Sequence, residues 1–258
     1  MQEQTVLITG ASRGIGLEIA QFLRNLDYRV IGTSTNSGGV QLIDQALGSG
    51  GKGIEMQIDN DESVVQAFSK MEELEESPRI LINNAGRTWG SDLNSFPYDA
   101  WAKVLNLNVS AIFYLTQKLV PLLASSSKSD FPSRVVNMGS VMGEVPMGDG
   151  AYSYAASKSA VHHITRILAK ELAERNITVN ALSPGPFQSN MTDFAIGDSK
   201  VTMRVSKRVP LKRIGQTDDI AASIQFLCGK GGSYVTGAIL PISGGINVST
   251  GPSIFGED

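Results

Sequence analysis

The strongest constraint in this chain is a repeated change of hydrophobic period. Short β-branched runs alternate with longer segments of helical spacing: TVLITG leads into IGLEIAQFLRNL, RVIGTS and GIEMQID precede SVVQAFSKMEEL, RILINN precedes WAKVLNLNVSAIFYLTQKLV, and RVVNMGS precedes YAASKSAVHHITRILAKEL. TVNALSP and GAILPISGG close the series. The strand runs are apolar throughout instead of alternating with polar residues, as expected when both faces of a sheet are covered, and a helix between successive strands allows them to run parallel. The pattern predicts an α/β fold with a doubly wound, mostly parallel sheet of about seven strands and helices on both faces. Without a linker or repeat, residues 1–258 are expected to form one domain. The one long irregular stretch, residues 183–216, predicts a substrate lid at about 187–213. Its Met191, Phe194, Ile196 and Met203 suit either an apolar substrate tail or packing of the lid onto the core.

Charge and cysteine content narrow the function class. A formal net charge of -3 gives no general attraction for nucleic acid phosphates. Cys228 is the single cysteine, so neither an intrachain disulfide nor a multi-thiolate metal site can form, and core filling is its expected role. No metal is expected. The start MQEQ enters the first apolar run without the basic segment and cleavage site of a secretory signal, and no apolar run approaches membrane-spanning length. A soluble cytoplasmic protein is the expectation.

The first strand ends in TGASRGIG, which places Gly10, Gly14 and Gly16 ahead of a helix. Such glycines let backbone bend tightly and approach a pyrophosphate, which then sits at the positive end of the helix. This is the dinucleotide-binding, Rossmann-like version of the doubly wound fold. The second strand ends IGTSTNS, with no acid from Gly32 through Ser37 to hold a ribose 2′-hydroxyl. Arg13 can instead pair with a 2′-phosphate, and Thr33, Ser34 and Thr35 can add hydroxyls, so NADP(H) is favoured over NAD(H).

In AYSYAASK, Tyr154 has Lys158 one helical turn onward, whereas Tyr152 has Ala156. A phenol near pKa 10 is a poor acid/base at neutral pH, and a lysine on the same helix face favours its phenolate. Ser140, at the end of RVVNMGS, stands where ligands of open α/β sheets bind and can hold a carbonyl oxygen beside the tyrosine. Asn108 falls mid-helix, where its amide could organise a water beside Lys158. The adjacent His162 and His163 point to different faces and read as structural or exposed.

TGASRGIG, NNAG at residues 83–86, Asn108, Ser140, Tyr154 with Lys158, and NALSPGPFQS stand in an order that resembles the short-chain dehydrogenase/reductase family over essentially the whole chain. The resemblance implies that Tyr154 protonates a substrate carbonyl oxygen as hydride arrives from the nicotinamide, while Ser140 holds that oxygen. It gives Lys158 the nicotinamide ribose and a lowering effect on the tyrosine, and Asn108 a relay water. The implied cofactor set is Gly10, Ser12, Arg13, Gly14, Ile15, Gly16, Thr33, Ser34, Thr35, Asp59, Asn60, Asn84, Ala85, Gly86, Tyr154, Lys158, Pro184, Gly185, Ser189 and Met191. Within the family the chain is most similar to NADPH-dependent 3-oxoacyl-thioester reductases, including their rhamnolipid-associated branch, while sugar, polyol and steroid dehydrogenases share much of the pattern. Family members commonly form homotetramers, which would bury the helices carrying Asn108 and Lys158. Of the two arginines that fatty-acid-synthesis members use to dock acyl carrier protein, Arg175 matches one, and the other position falls in the SDFP insertion near Phe131. A coenzyme A thioester or another small ketone is the alternative substrate, and Lys200, Arg204, Lys207, Arg208, Lys212 and Arg213 could meet a phosphopantetheine chain or simply be solvated.

Overall fold

The computed structural model describes residues 4–147, 150–187 and 199–249. Seven strands form one sheet in the order β3-β2-β1-β4-β5-β6-β7, with every neighbouring pair parallel. They are β1 Thr5–Ile8, β2 Arg29–Ser34, β3 Gly51–Glu55, β4 Ile80–Asn83, β5 Ser133–Met138, β6 Ile177–Pro184 and β7 Ile239–Ile242. The helices between them are α1 Gly14–Asn25, α2 Ser37–Leu47, α3 Asp61–Glu73, α4 Asp99–Leu105, α5 Ala111–Ser125, α6 Tyr152–Leu172, α7 Ser199–Arg208 and α8 Thr217–Cys228.

Successive strand residues point to opposite faces, so each continuous apolar run supplies two cores. Leu7, Ile31, Leu81, Val135 and Val179 pack with residues of α3, α5 and α6, including Met71, Leu115 and Leu168. Their neighbours Val6, Ile8, Val30, Ile80, Ile82 and Val136 turn the other way, onto Ile19 of α1, Ile43 of α2 and Ile224 of α8. Register pins this division, with Leu7 opposite both Ile31 and Leu81. Cys228 is buried in the second core, where burial pushes its thiol up to about 12.

Strand order reverses between β1 and β4, a geometry that opens a crevice beyond the carboxyl ends of the strands. Inside the sheet near that end, Asn83 donates to Asn137 Oδ1 at 2.8 Å and to Thr116 Oγ1 at 3.2 Å, and Asn137 donates to Thr165 Oγ1 at 2.9 Å. This buried chain ties β4 and β5 to α5 and α6, so the elements that carry the site are cross-braced.

Two expectations need correction. Asp99–Ser125 runs helically from α4 through a wider π-type turn, Asn106–Ser110, into α5, and by length and composition it is apolar enough to cross a membrane, with mean hydropathy 1.3. Its Leu115, Leu119 and Leu123 are instead buried against the sheet, as in the core helix of a globular fold. The stretch 183–216 is not irregular throughout, because Ser183 and Pro184 end β6 and residues 199–208 form α7. That helix forms because Val201 and Val205 lie on the side that leads to buried Val209, while Met203, Arg204, Lys207 and Arg208 are exposed.

Candidate active site

The turn after β1 is built for close approach to a ligand. Gly10 and Gly14 have φ of 66° and 53°, a region that favours glycine. A Cβ on Gly16 would lie 2.3 Å from Gly10 O and 2.4 Å from Asn84 Nδ2, so the α1 start can pack against the turn only as glycine. Thr9 holds the arrangement: its Oγ1 accepts from the amides of Asn84 at 3.0 Å and Ala85 at 2.9 Å, while Asn84 Nδ2 donates to the carbonyls of Thr9 and Gly10. The sequence reading missed Thr9 as a site residue, although its position between strand and glycine turn was the available signal. Arg13 at the start of α1 provides no side-chain cap, and the first turn has no acid. The helix-start amides therefore remain for an anion, and these residues fit a dinucleotide pyrophosphate.

Fewer side chains stand open to a 2′ substituent than the sequence implied. Arg13 and Thr35 are exposed and Ser12 is partly so. Thr33 is buried, and its Oγ1 accepts from Gly10 N at 3.4 Å, so it braces the turn instead of offering a hydroxyl outward. Ser34 is also buried, pressed against Gly39, where a Cβ would stand 1.9 Å from Ser34 Oγ and 3.0 Å from Ser12 Cβ. Ile15 packs on the second core. Asp59 is exposed, and Asn60 caps α3 by accepting from Ser63 N at 2.9 Å.

At the carboxyl ends of β4, β5 and β6 the remaining groups converge. Gly86 sits between Asn108 and Lys158, whose Oδ1 and Nζ would be 3.3 and 3.8 Å from a Cβ there. Asn108, expected to be able to organise a water, is buried in the π-type turn. Its Nδ2 donates to Arg87 O at 2.8 Å and Ser157 Oγ at 2.9 Å, and its Oδ1 accepts from Arg87 N at 2.8 Å. Both amide hydrogens are therefore spent on protein, which makes the side chain a strut between the NNAG loop and α6.

Lys158 is buried and donates from Nζ to Met138 O at 2.6 Å. Burial lowers its pKa to about 8. The ammonium stands 5.5 Å from the centroid of the Tyr154 ring. Contrary to the sequence expectation, the phenol pKa is raised: burial drives it up, and a hydrogen bond with Ser140 opposes the rise. The lysine is tied to a strand carbonyl over the ring, so desolvation outweighs its field at the phenolic oxygen. Ser140 is buried in extended backbone at the head of a short turn, and its Oγ accepts from Met142 N at 3.2 Å.

Tyr152 lies two residues, about 200°, around the helix from Tyr154. It meets Phe96 edge to face at 5.3 Å and lines an outer hollow of about 540 Å³ with Leu93, Tyr98 and Trp101. His162 is buried and His163 exposed. Gly185 N donates to Ile242 O at 3.0 Å, which holds Pro184 and Gly185 at the joined ends of β6 and β7. Ser189 and Met191, with Phe194 and Ile196 of the expected lid, lie outside the described residues. Met203 is 61 % exposed, and Arg213 is engaged by Asp219 through two hydrogen bonds of 2.7 and 2.9 Å. Arg175 follows the far end of α6, about 30 Å along the helix from Tyr154 at 1.5 Å per residue. No cluster of potential metal ligands occurs among the described residues.

A family model described as enoyl-(acyl carrier protein) reductase matches residues 10–247. The chain belongs to the short-chain dehydrogenase/reductase family. It is 38% identical to the rhamnolipids biosynthesis 3-oxoacyl-acyl-carrier-protein reductase of Pseudomonas aeruginosa over 94% of this chain and 95% of that protein. It is 36% identical to the 3-oxoacyl-acyl-carrier-protein reductase FabG of the same organism, over 96% of this chain and 99% of the relative. Among solved structures, the Pseudomonas aeruginosa RhlG/NADP active-site complex superposes with a TM-score of 0.90 at 37% identity, covering 95% of this chain and 96% of that one. This family member is therefore an oxidoreductase.

Proposed function

We propose that the chain uses NADPH to reduce the ketone of a 3-oxoacyl thioester to the alcohol. The observation that carries the reading is the convergence of Tyr154, Ser140 and Lys158 at the strand ends beside the glycine turn, in a chain 38% identical to a 3-oxoacyl reductase. Bound NADPH supplies hydride to the carbonyl carbon. Tyr154 gives its hydroxyl proton to the carbonyl oxygen, so one hydride on carbon and one proton on oxygen complete the alcohol and leave a phenolate. A raised phenol pKa keeps that proton in place at neutral pH, and the Lys158 ammonium stabilises the phenolate left behind. Ser140 holds the carbonyl oxygen beside the phenol, and Lys158 holds the nicotinamide ribose. Arg13 contacts the 2′-phosphate, while Gly10, Gly14 and Gly16 with the α1 start hold the pyrophosphate. Asp59 and Asn84 serve the adenosine side, and Ser189 and Met191 the carboxamide side.

The protein works in the cytoplasm as a homotetramer. Phe113 of α5 and Ile167 of α6 are 43% and 50% exposed, which supports a subunit contact along these helices, and sedimentation measures the state directly. Arg175 stands too far from Tyr154 of its own chain to direct a thioester there, so a small thioester is expected to suffice as substrate. The decisive experiment pairs NADPH or NADH with acetoacetyl and longer 3-oxoacyl thioesters, an enoyl thioester, a cyclic ketone and a sugar. Turnover of the 3-oxoacyl thioesters with NADPH, abolished in Tyr154→Phe, is expected. Turnover confined to the enoyl thioester, the cyclic ketone or the sugar would overturn the substrate, and a fully active Tyr154→Phe would overturn the mechanism.

A further inference from the structure

The face of α6 that carries Tyr154 and Lys158 continues, at the same four-residue step, to His162. This residue is 3% exposed and touches both ends of the short segment that begins with Ser140. Its Nε2 accepts from Ser140 N at 3.4 Å, and its Nδ1 lies 3.4 Å from Glu144 Oε1. The two contacts define one neutral tautomer: Nε2 needs a lone pair to face an amide, which leaves the proton on Nδ1 for the carboxylate. Burial, with Arg166 and Lys158 nearby, lowers the imidazole pKa to about 4, so this form persists at neutral pH.

The surrounding backbone is shaped to admit the ring. A Cβ on Gly139 would stand 2.2 Å from His162 Nε2, and one on Gly143 would stand 3.0 Å from His162 Cε1 and 2.8 Å from the Lys158 carbonyl carbon. Gly139 N still pairs with Leu182 O at 2.8 Å, so the following amide is the first beyond β5 to leave the sheet, and His162 receives it. Ser140 then spends its own Oγ as acceptor for Met142 N and meets the Tyr154 phenol. The serine hydroxyl is thus aimed by a backbone turn clamped at both ends by one imidazole.

We infer that His162 is a positioning residue for the reduction, bridging the Ser140 amide and the Glu144 carboxylate so that the Ser140 hydroxyl stays fixed toward Tyr154. The inference rests on the proposed role of Ser140. Because the clamp acts through that hydroxyl and not through the cofactor, removing it lowers kcat and leaves the NADPH KM unchanged.

The test is a double-mutant cycle with acetoacetyl thioester and NADPH. His162→Leu, which lacks an acceptor, is expected to lose about tenfold in kcat, the worth of one buried hydrogen bond. His162→Gln, whose side-chain carbonyl can accept from the Ser140 amide, is expected to recover most of that loss. In a Ser140→Ala background, measured at high enzyme concentration, His162→Leu should have no further effect. An equal His162→Leu loss with or without the serine hydroxyl would overturn the inference, as would a Gln variant as impaired as Leu or a change confined to NADPH KM. If His162→Leu does not fold, Glu144→Leu supplies the second probe, with a smaller loss of kcat that also vanishes in Ser140→Ala; no loss there overturns the clamp. Full activity in Ser140→Ala alone would instead refute the proposed site chemistry, which keeps the two failures distinct.

Discussion

Lys158 gives the sharpest quantitative expectation, because a buried ammonium held by a carbonyl and an aromatic ring, with no carboxylate partner among the described residues, is costly to keep. Its pKa falls from 10.5 to about 8 on burial, and at 1.36 kcal/mol per unit the charged form costs the fold about 3 kcal/mol below pH 8. Replacing it in Lys158→Met keeps an unbranched side chain of similar reach and removes the charge. The variant loses the hydrogen bond to Met138 O and leaves that carbonyl unpaired, a loss of about 1 kcal/mol. At pH 7 the inactive variant should therefore be more stable than the parent by about 2 kcal/mol, or roughly 4–8 °C in Tm for a chain of this size.

The pH dependence carries the proof of cause. Between pH 8 and pH 10.5 the unfolded lysine holds a proton that the folded one has released, so parent stability rises through this window relative to the variant. The advantage of Lys158→Met should shrink as pH rises and, near pH 10.5, reverse to a deficit of about 1 kcal/mol from the missing hydrogen bond. Urea unfolding of both proteins at pH 7, 8, 9 and 10, each without cofactor, measures the difference directly, and effects of other titrating groups cancel between them. A variant less stable than the parent at pH 7, or a difference that does not move with pH, would refute the reasoning.

Three other outcomes follow from the same geometry. Arg13→Ala should raise the NADPH KM about thirtyfold, for a charge-assisted contact of about 2 kcal/mol, and leave NADH nearly unaffected; equal losses for both cofactors in steady-state kinetics would remove the 2′-phosphate role. Gly16→Ala should weaken cofactor binding in a fluorescence titration and lower stability by about 1–3 kcal/mol, since its Cβ would meet Gly10 O at 2.3 Å, and a neutral variant would mean that the turn yields freely. His162, lowered from 6.5 to about 4 by burial and by Arg166 and Lys158, should make stability fall by about 3 kcal/mol as pH drops from 6.5 to 4, because the unfolded imidazole takes up its proton first. The Glu144 carboxylate lies 3.4 Å from the ring, so the measurement is the parent curve minus that of His162→Gln.

The fold was legible because both of its periods were strong. Strands such as β1 and β4 bury every central residue, so their runs are uniformly apolar, and α1 shows its buried Ile19, Ala20 and Leu23 at helical spacing. Glycine turns were legible for a similar reason, since a positive φ at Gly10 and Gly14 constrains residue type locally. Side-chain partners were not. Thr33 and Ser34 end a strand, β2, whose apolar run says nothing about whether a hydroxyl turns outward, and Gly10 and Gly39, from other elements, decide it. Asn108 read as a polar interruption of a helix because its partners Arg87 and Ser157 come from other elements. The direction of the Tyr154 shift also escaped the sequence: spacing places Lys158 on the same face, but only the fold shows the ammonium drawn to Met138 O and the phenol desolvated.

These departures share a physical logic. Arg13 is exposed at the α1 start, the α1 amides lack an acidic neighbour, and Lys158 is buried beside the NNAG loop, all along one end of the sheet of a chain whose net charge is -3. Left alone, the buried Lys158 ammonium lowers stability, as its shift expresses. A ligand with phosphates for the helix start and hydroxyls for the ammonium gives both partners at once, so part of its binding energy comes from relieving the cost of the buried lysine. The same logic explains why His162 is neutral where it meets Ser140. A second buried cation within a turn of Lys158 would oppose the lysine charge that the phenolate needs, whereas a neutral imidazole can clamp the serine turn without adding to the field.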